Sequence, residues 1–347
     1  MGFLKWFLFP ISVIFWFVTS LRNFFYDIGW LKSSYFNLPI IGIGNITVGG
    51  TGKTPHTNYV TELLSEKYKV AILSKGYGRK TRDFNYVQLN SEIISVGDEP
   101  MQTKQNFPNH VVAVDHQRVN GVLNILSDYP ETSAIVLDDA FQHRSINIGY
   151  NILLIDYNRP IYEDYLLPYG LLRESPRAIK RANCVIVTKC PENLSKSKAD
   201  LIKQKINFGG DILFSVVRYD KIIALNNKNK SINYNEIKNV LLVTAIAQNK
   251  PIIDYLESKK INCTTLRFPD HHNYNEKDIK NITSKKEALN KNTIILTTEK
   301  DIQKLKNFPL LKQYPVYYLK VSVDFLWNKD KFDQKLIDYV RNNQKNS

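Results

Sequence analysis

The chain has 347 residues, 43% of them hydrophobic and 23% charged, a composition that excludes a disordered protein and suffices for two domains with cores of their own. Its net charge of +14 points to an acidic partner, an anionic bilayer or a phosphorylated substrate, because no nucleic-acid-binding motif is present. Cys184, Cys190 and Cys263 form no CxxC pair and no metal-ligand spacing, so free thiols in a reducing compartment are expected.

Residues 3–25, FLKWFLFPISVIFWFVTSLRNFF, are apolar and aromatic, with Lys5 as the early charge. No charge falls between Trp6 and Leu21, a run shorter than the roughly 20 residues of a straight membrane span. Pro10 begins or kinks a helix, and Trp6, Trp16 and Trp30 suit an interfacial aromatic belt. A cleaved signal peptide would need small residues behind the apolar run, and Arg22-Asn23-Phe24-Phe25-Tyr26 stands there instead. The expectation is a retained membrane-anchoring helix within residues 1–30, either barely spanning or lying in the interface.

Residues 40–55, IIGIGNITVGGTGKTP, carry the strongest signal. Ile40 to Ile46 reads as a buried strand that runs into a glycine-rich turn closed by Lys53-Thr54, with a helical pattern behind it. This is the layout of a P-loop, whose inward amides and helix N-terminus cradle the phosphates of ATP or GTP. Thr47, Val48, Gly49, Gly50, Thr51, Gly52, Lys53 and Thr54 are therefore the predicted nucleotide-binding residues. Lys53 is placed to reach the β- and γ-phosphates, and the Thr54 hydroxyl to meet Mg²⁺. Thr47 stands where the general pattern has glycine, so the turn must accept a Cβ where it begins.

A strand over 69–74 ends in Lys75-Gly76-Tyr77-Gly78-Arg79-Lys80, and Lys75 and Arg79 are expected to face phosphate at that carboxyl edge. Gly97-Asp98-Glu99-Pro100 precedes a helix over 101–106, where Asp98 reads from residue type alone as an N-cap. A strand over 111–114 leads to a helix from Gln117-Arg118, with Arg118 a further phosphate or substrate candidate. Ala134 to Asp139 is an apolar strand ending in two acids, the form of a Walker B element. Asp138 and Asp139, with Thr54 and Gln142, are the candidate Mg²⁺ ligands. Arg173 is a candidate phosphate clamp.

Strands over 152–156 and 185–188 and a helix over 196–206 complete a doubly wound pattern. A long β segment, 211–225, runs to a polar break at 226–230, taken as the domain junction. Beyond it alternate strands over 240–246, 264–268, 294–298 and 316–321 with helices over 251–259 and 276–289. The predicted fold is α/β: a doubly wound, mostly parallel P-loop NTPase-like sheet over 31–212 and a smaller α/β domain over 213–347 that contributes to the active-site cleft. In the second part, His271 and His272 follow one strand and Thr297-Thr298-Glu299-Lys300-Asp301 closes another, at edges where ligands gather.

Seven pieces, GNITVGGTGKTP, SKGYGRK, GDEP, LDDAFQHR, LLPYGLLRE, FPDHHNY and TTEKD, stand in an order that resembles the tetraacyldisaccharide 4′-kinase family, the lipid A kinases of Gram-negative bacteria. Lys75 replaces the usual arginine and Ala140 the usual glycine; the first loses a bidentate fork, and the second implies no positive φ at 140. The resemblance implies ATP as phosphate donor, Mg²⁺, a lipid A disaccharide 1-phosphate as acceptor at its 4′-hydroxyl, and residence at the inner membrane with the catalytic body in the cytoplasm. It implies neither a nucleic-acid nor an obligate protein partner. It makes Asp98 the catalytic base paired with His271, a pair that forms when the two domains approach. Two rivals are a membrane-attached GTPase-like switch, for which no good base-recognition sequence is found, and a kinase of another lipid-linked sugar.

Overall fold

The computed structural model describes residues 7–344; Lys5 and Trp6 of the predicted anchor lie outside the described residues. Helix α1 (Phe9–Asp27) opens the chain with Pro10 in its first turn. β1 (Ile40–Asn45) follows, buried at every position, then α2 (Lys53–Ser65), β2 (Val70–Ser74), β3 (Asn85–Tyr86) and α3 (Asp98–Asn106). β4 (Val111–Val114), α4 (Arg118–Asp128), β5 (Ala134–Asp138), β6 (Tyr150–Asp156), β7 (Cys184–Thr188) and α5 (Lys196–Ile206) complete the first half. β8 (Asp211–Ala224), β9 (Asn227–Ile232), β10 (Asn239–Thr244), α6 (Lys250–Ser258), β11 (Asn262–Arg267) and α7 (Glu276–Glu287) come next. β12 (Ile294–Thr298), β13 (Val316–Phe325) and α8 (Lys329–Gln344) end the chain.

All the strands join one thirteen-stranded sheet in the order β11-β10-β12-β13-β8-β7-β6-β1-β5-β2-β4-β3, with β9 paired to β8. β1 lies parallel between β5 and β6, so the chain winds outward from it in both directions and the carboxyl end of β1 becomes a crevice. β10 sits parallel between β11 and β12 in the same manner. The antiparallel pairs are β13/β8, β3/β4 and β8/β9. Apolar runs fill both faces because a parallel sheet is covered on both sides. In β10, Leu241 and Val243 pack with Ile279 and Ile282 of α7, while Val240 and Leu242 pack with Ile252 and Leu256 of α6.

Three departures from the sequence reading have clear causes. Among the described residues no helix is long and apolar enough to cross a membrane, so the spanning form of the predicted anchor is not supported. The helix exists, but its polar side docks on the body: Ser12 Oγ donates to the Leu166 carbonyl at 3.1 Å, and Asn23 Nδ2 to Glu174 at 2.9 Å. Residues 226–230, read as a polar break, instead lead into β9, which pairs back on β8. Finally, Phe332, Leu336 and Val340 of α8 pack against Ile41, Val60 and Leu64, so the C-terminal helix returns to the first half.

Candidate active site

The glycine-rich loop is held open by backbone geometry. Gly49 has φ +99° and Gly52, the N-cap of α2, φ +88°, values a Cβ would strain. Thr47, buried and bridged to Leu172, meets the requirement for a Cβ where the loop begins. Outside the loop its carbonyls are gripped by the ends of β6 and β7. Arg159 donates to Val48 O at 3.2 Å, Lys189 Nζ to Gly50 O, and Thr188 Oγ1 to Thr51 O at 2.9 Å. Asp156 ties both cations, at 2.8 Å to Lys189 and 3.3 Å to Arg159. With three loop carbonyls engaged from outside and the Val48 N–H on the Leu171 carbonyl at 2.8 Å, the loop has the fixed form a phosphate-binding turn requires.

The two acids at the end of β5 meet the loop from beneath. Asp138 is buried and accepts from Thr57 Oγ1 at 3.0 Å. Burial, then the nearby Glu99 carboxylate, pushes it up to about 7. Asp139 takes φ +48°, and Ala140 has no positive φ, as the alanine there implied. Burial alone would raise Asp139, but Lys53 and Arg173 outweigh it and hold the carboxyl below its usual range. Lys53 Nζ lies 3.8 Å from Asp139 Oδ1, and Arg173 reaches both of its oxygens at 3.1 and 3.4 Å while also donating to Asn45 O at 3.0 Å. Gln142 Nε2 donates to the same Asn45 carbonyl at 2.7 Å. Thr54 near the start of α2, and Asp138, Asp139 and Gln142 at and just beyond the end of β5, all carry oxygen donors, two of them carboxylates. That donor set suits a hard cation such as Mg²⁺. Among the described residues no group of three or more His, Cys, Asp and Glu side chains is placed to hold a metal ion.

Asp98 is the first residue of α3 and is buried at 3% exposure. Its Oδ2 lies 3.2 Å from His271 Nδ1, 3.2 Å from Lys304 Nζ and 3.8 Å from Lys300 Nζ. Its Oδ1 accepts the Glu99 N–H at 3.0 Å. Burial works to raise this carboxyl, but the His271 hydrogen bond and the two ammonium groups prevail and hold it well below the usual carboxylate range. His271 sits at φ +60° between β11 and α7, with its N–H on the Ala245 carbonyl at 3.1 Å. The pair expected to form only when the halves approach is therefore made in this structure.

The remaining predicted residues fall into two groups. Lys75 is exposed at the end of β2. Arg79 instead turns back on its own loop, donating to the carbonyls of Lys75, Asp83 and Arg82 at 3.1, 2.6 and 3.0 Å. Arg118 is 1% exposed and donates to Asp115 O at 2.5 Å and Asp138 O at 3.1 Å, and burial pushes its guanidinium down to about 10. It lies beneath the acids, bracing the turn that carries them.

A family profile described as Tetraacyldisaccharide-1-P 4′-kinase matches residues 4–341. The chain belongs to that family. It is 42% identical to the tetraacyldisaccharide 4′-kinase of Flavobacterium johnsoniae, with 99% of each chain covered, and 40% identical to that of Phocaeicola vulgatus, covering 99% of this chain and 97% of the relative. Its fold matches a crystal structure of LpxK from Aquifex aeolicus in complex with ATP, with a TM-score of 0.77 and 26% identity over 97% of this chain and 99% of that one. The phosphotransferase with an alcohol acceptor read from the seven motifs agrees with this membership.

Against that family background, several supports escaped the sequence reading. Asp156, Arg159 and Lys189 brace the loop from outside any motif, and Lys304 reaches Asp98 from one turn beyond TTEKD. Glu99 was quoted only as part of GDEP, yet it acts on Asp138. Lysines so common in this chain carry no signal of their own until the fold brings one against a buried carboxylate.

Proposed function

We propose that this chain transfers the γ-phosphoryl group of ATP to the 4′-hydroxyl of a tetraacyldisaccharide 1-phosphate, the acceptor its family name gives. The observation that carries the reading is the pair of buried Asp98 and half-buried His271, with Glu99 between it and Asp138 as a nearby charge. A sugar hydroxyl becomes a nucleophile only as its proton is taken, and an imidazole backed by a carboxylate is suited to take it near neutral pH. The loop amides and Lys53 hold the triphosphate, and Arg173 neutralises charge beside it. Thr54, Asp138, Asp139 and Gln142 hold Mg²⁺, which supplies charge neutralisation at the phosphates. Lys75 meets the charge of the acceptor, and Arg118 keeps the β5 turn in place. Residues 31–212 and 213–347 act as two lobes with this site between them.

The acceptor is a lipid, and α1 offers a way to reach it. Ile11, Ile14, Phe17 and Val18 of α1 are exposed, while the Phe9 ring meets Tyr169 of the body edge-on. The exposed side chains lie in the bilayer interface, with the net positive charge favouring anionic headgroups and the nucleotide site in the cytoplasm. The protein then works at the inner membrane, without an obligate protein or nucleic-acid partner.

Incubation with γ-labelled ATP and the disaccharide 1-phosphate tests the reading. The label is expected on the acceptor, at the 4′ position. Label released to water regardless of acceptor would instead indicate a nucleotide switch.

A further inference from the structure

The turn after β12 holds a lysine to which the mechanism gives no task. Lys300 Nζ lies 3.0 Å from His271 Nε2, 3.5 Å from Glu99 Oε1 and 3.8 Å from Asp98 Oδ2. A lysine ammonium has only donors. The 3.0 Å contact therefore makes Nε2 the lone-pair nitrogen and puts the ring proton on Nδ1, where it faces Asp98 at 3.2 Å. His271 and the residue after Lys300 are also tied to one residue, Ala245. The Ala245 carbonyl accepts the His271 N–H at 3.1 Å, and the Ala245 N–H donates at 3.0 Å to Asp301, the residue after Lys300. Asp301 is fixed again by the Thr298 hydroxyl at 2.8 Å. The placement of lysine against imidazole is thus built into the backbone of β10 and β12.

We propose that Lys300 is a positioning residue for the proton-accepting pair: it fixes His271 as the Nδ1–H tautomer and covers Nε2 until the acceptor hydroxyl takes its place. This rests on the kinase reading above. When the hydroxyl replaces the ammonium, its O–H bond breaks and the proton passes to Nε2. The oxygen bonds the γ-phosphorus, and the bond from γ-phosphorus to the bridging oxygen breaks with its electron pair leaving on ADP. Lys300 then pairs with Glu99, already 3.5 Å away. The groups facing His271 are Asp98 from α3, Lys300 and Lys304 from beyond β12, and the Tyr77 ring at 5.2 Å from the loop after β2. Glu99 pairs with Lys300 at 3.5 Å.

The imidazole nitrogen resonances of isotope-labelled wild-type protein near neutral pH give the first test. The proton is expected on Nδ1 of His271, with Nε2 bare. Lys300→Met is expected to give a mixture of tautomers and about a tenfold loss of kcat. Its ATP Kd should stay unchanged, and Lys300→Arg should restore the single tautomer. Lys304→Met is the control: it removes a charge even closer to Asp98, 3.2 against 3.8 Å, but touches no ring nitrogen, so the tautomer should hold. A wild-type proton on Nε2 overturns the proposal, as does a Lys300→Met enzyme whose tautomer and kcat both stay in place. Wild-type protein that shows the expected tautomer yet phosphorylates no disaccharide refutes the kinase reading instead.

Discussion

Asp98 and His271 stand 173 positions apart in the chain and 3.2 Å apart in space. One opens a helix of the first half; the other follows a strand of the second. Only the sheet that joins the halves brings them together. Asp98→Asn keeps the shape but loses the charge that backs the imidazole. A fall in kcat of roughly 10² to 10⁴ is expected, with ATP affinity unchanged. Steady-state rates and calorimetric titration with ATP check this; weakened ATP binding with intact turnover would make Asp98 a structural residue.

The same carboxylate makes stability depend on pH. Its folded form is held below the usual carboxylate range, so ionisation stabilises the fold above the unfolded value of about 3.9. That contribution is lost as pH falls from there through the lower folded value. The Tm gap between wild type and Asp98→Asn should be constant from about pH 5 upward and shrink below about pH 4. Melting curves across that range decide; a gap that widens in acid would contradict the sign.

The brace outside the phosphate loop predicts a selective kinetic defect. Asp156→Asn removes the charge that orders Lys189 and Arg159, and with it the grip on the Val48 and Gly50 carbonyls. KM for ATP should rise about tenfold, or about 1.4 kcal/mol, while KM for the lipid stays put. Equal loss for both substrates would point to general destabilisation.

Lys53 meets Asp139 at 3.8 Å and belongs to the loop. Lys53→Met removes a cation from where phosphate charge gathers. Turnover should fall roughly 10² to 10³-fold, as when one preorganised donor is lost from an oxyanion site. Single-turnover rates at saturating ATP give the measurement, and a rate within twofold of wild type would remove Lys53 from the chemistry.

The outer face of α1 supplies a test independent of catalysis. Ile14 and Phe17 are 65% and 59% exposed. Ile14→Asp with Phe17→Asp should reduce partition onto anionic vesicles at least tenfold, since each leaves a charge where an apolar group lay in the interface. Sedimentation with vesicles measures it; unchanged partition would end the interfacial role of this helix.

The nucleotide half was legible because its signals are local. A glycine loop between a strand and a helix, or a strand that ends in two acids, is readable from a dozen adjacent residues. Asp98 and His271 became legible only through the family resemblance; nothing in the spacing of either predicts the other. Lys300 and Lys304 stayed hidden because they are two among many lysines, and only tertiary contact distinguishes them. The polar stretch 226–230 misled because an edge strand tolerates polar residues as readily as a linker does. The return of α8 to the first half was equally unreadable, since an amphipathic helix announces an apolar face but not the surface that receives it.

β8 pairs with β7 through residues 211–214 and with β13 from Ser215 onward, while β13 also pairs with β12. The two halves are thus spliced by a pair of unbroken strands, not hung on a tether. A shift in register between Leu319 and Val321 interrupts that pair at its middle. The seating of Asp98 against His271 is thus set by a ladder of backbone pairs with one irregular step, and not by the length of a linker.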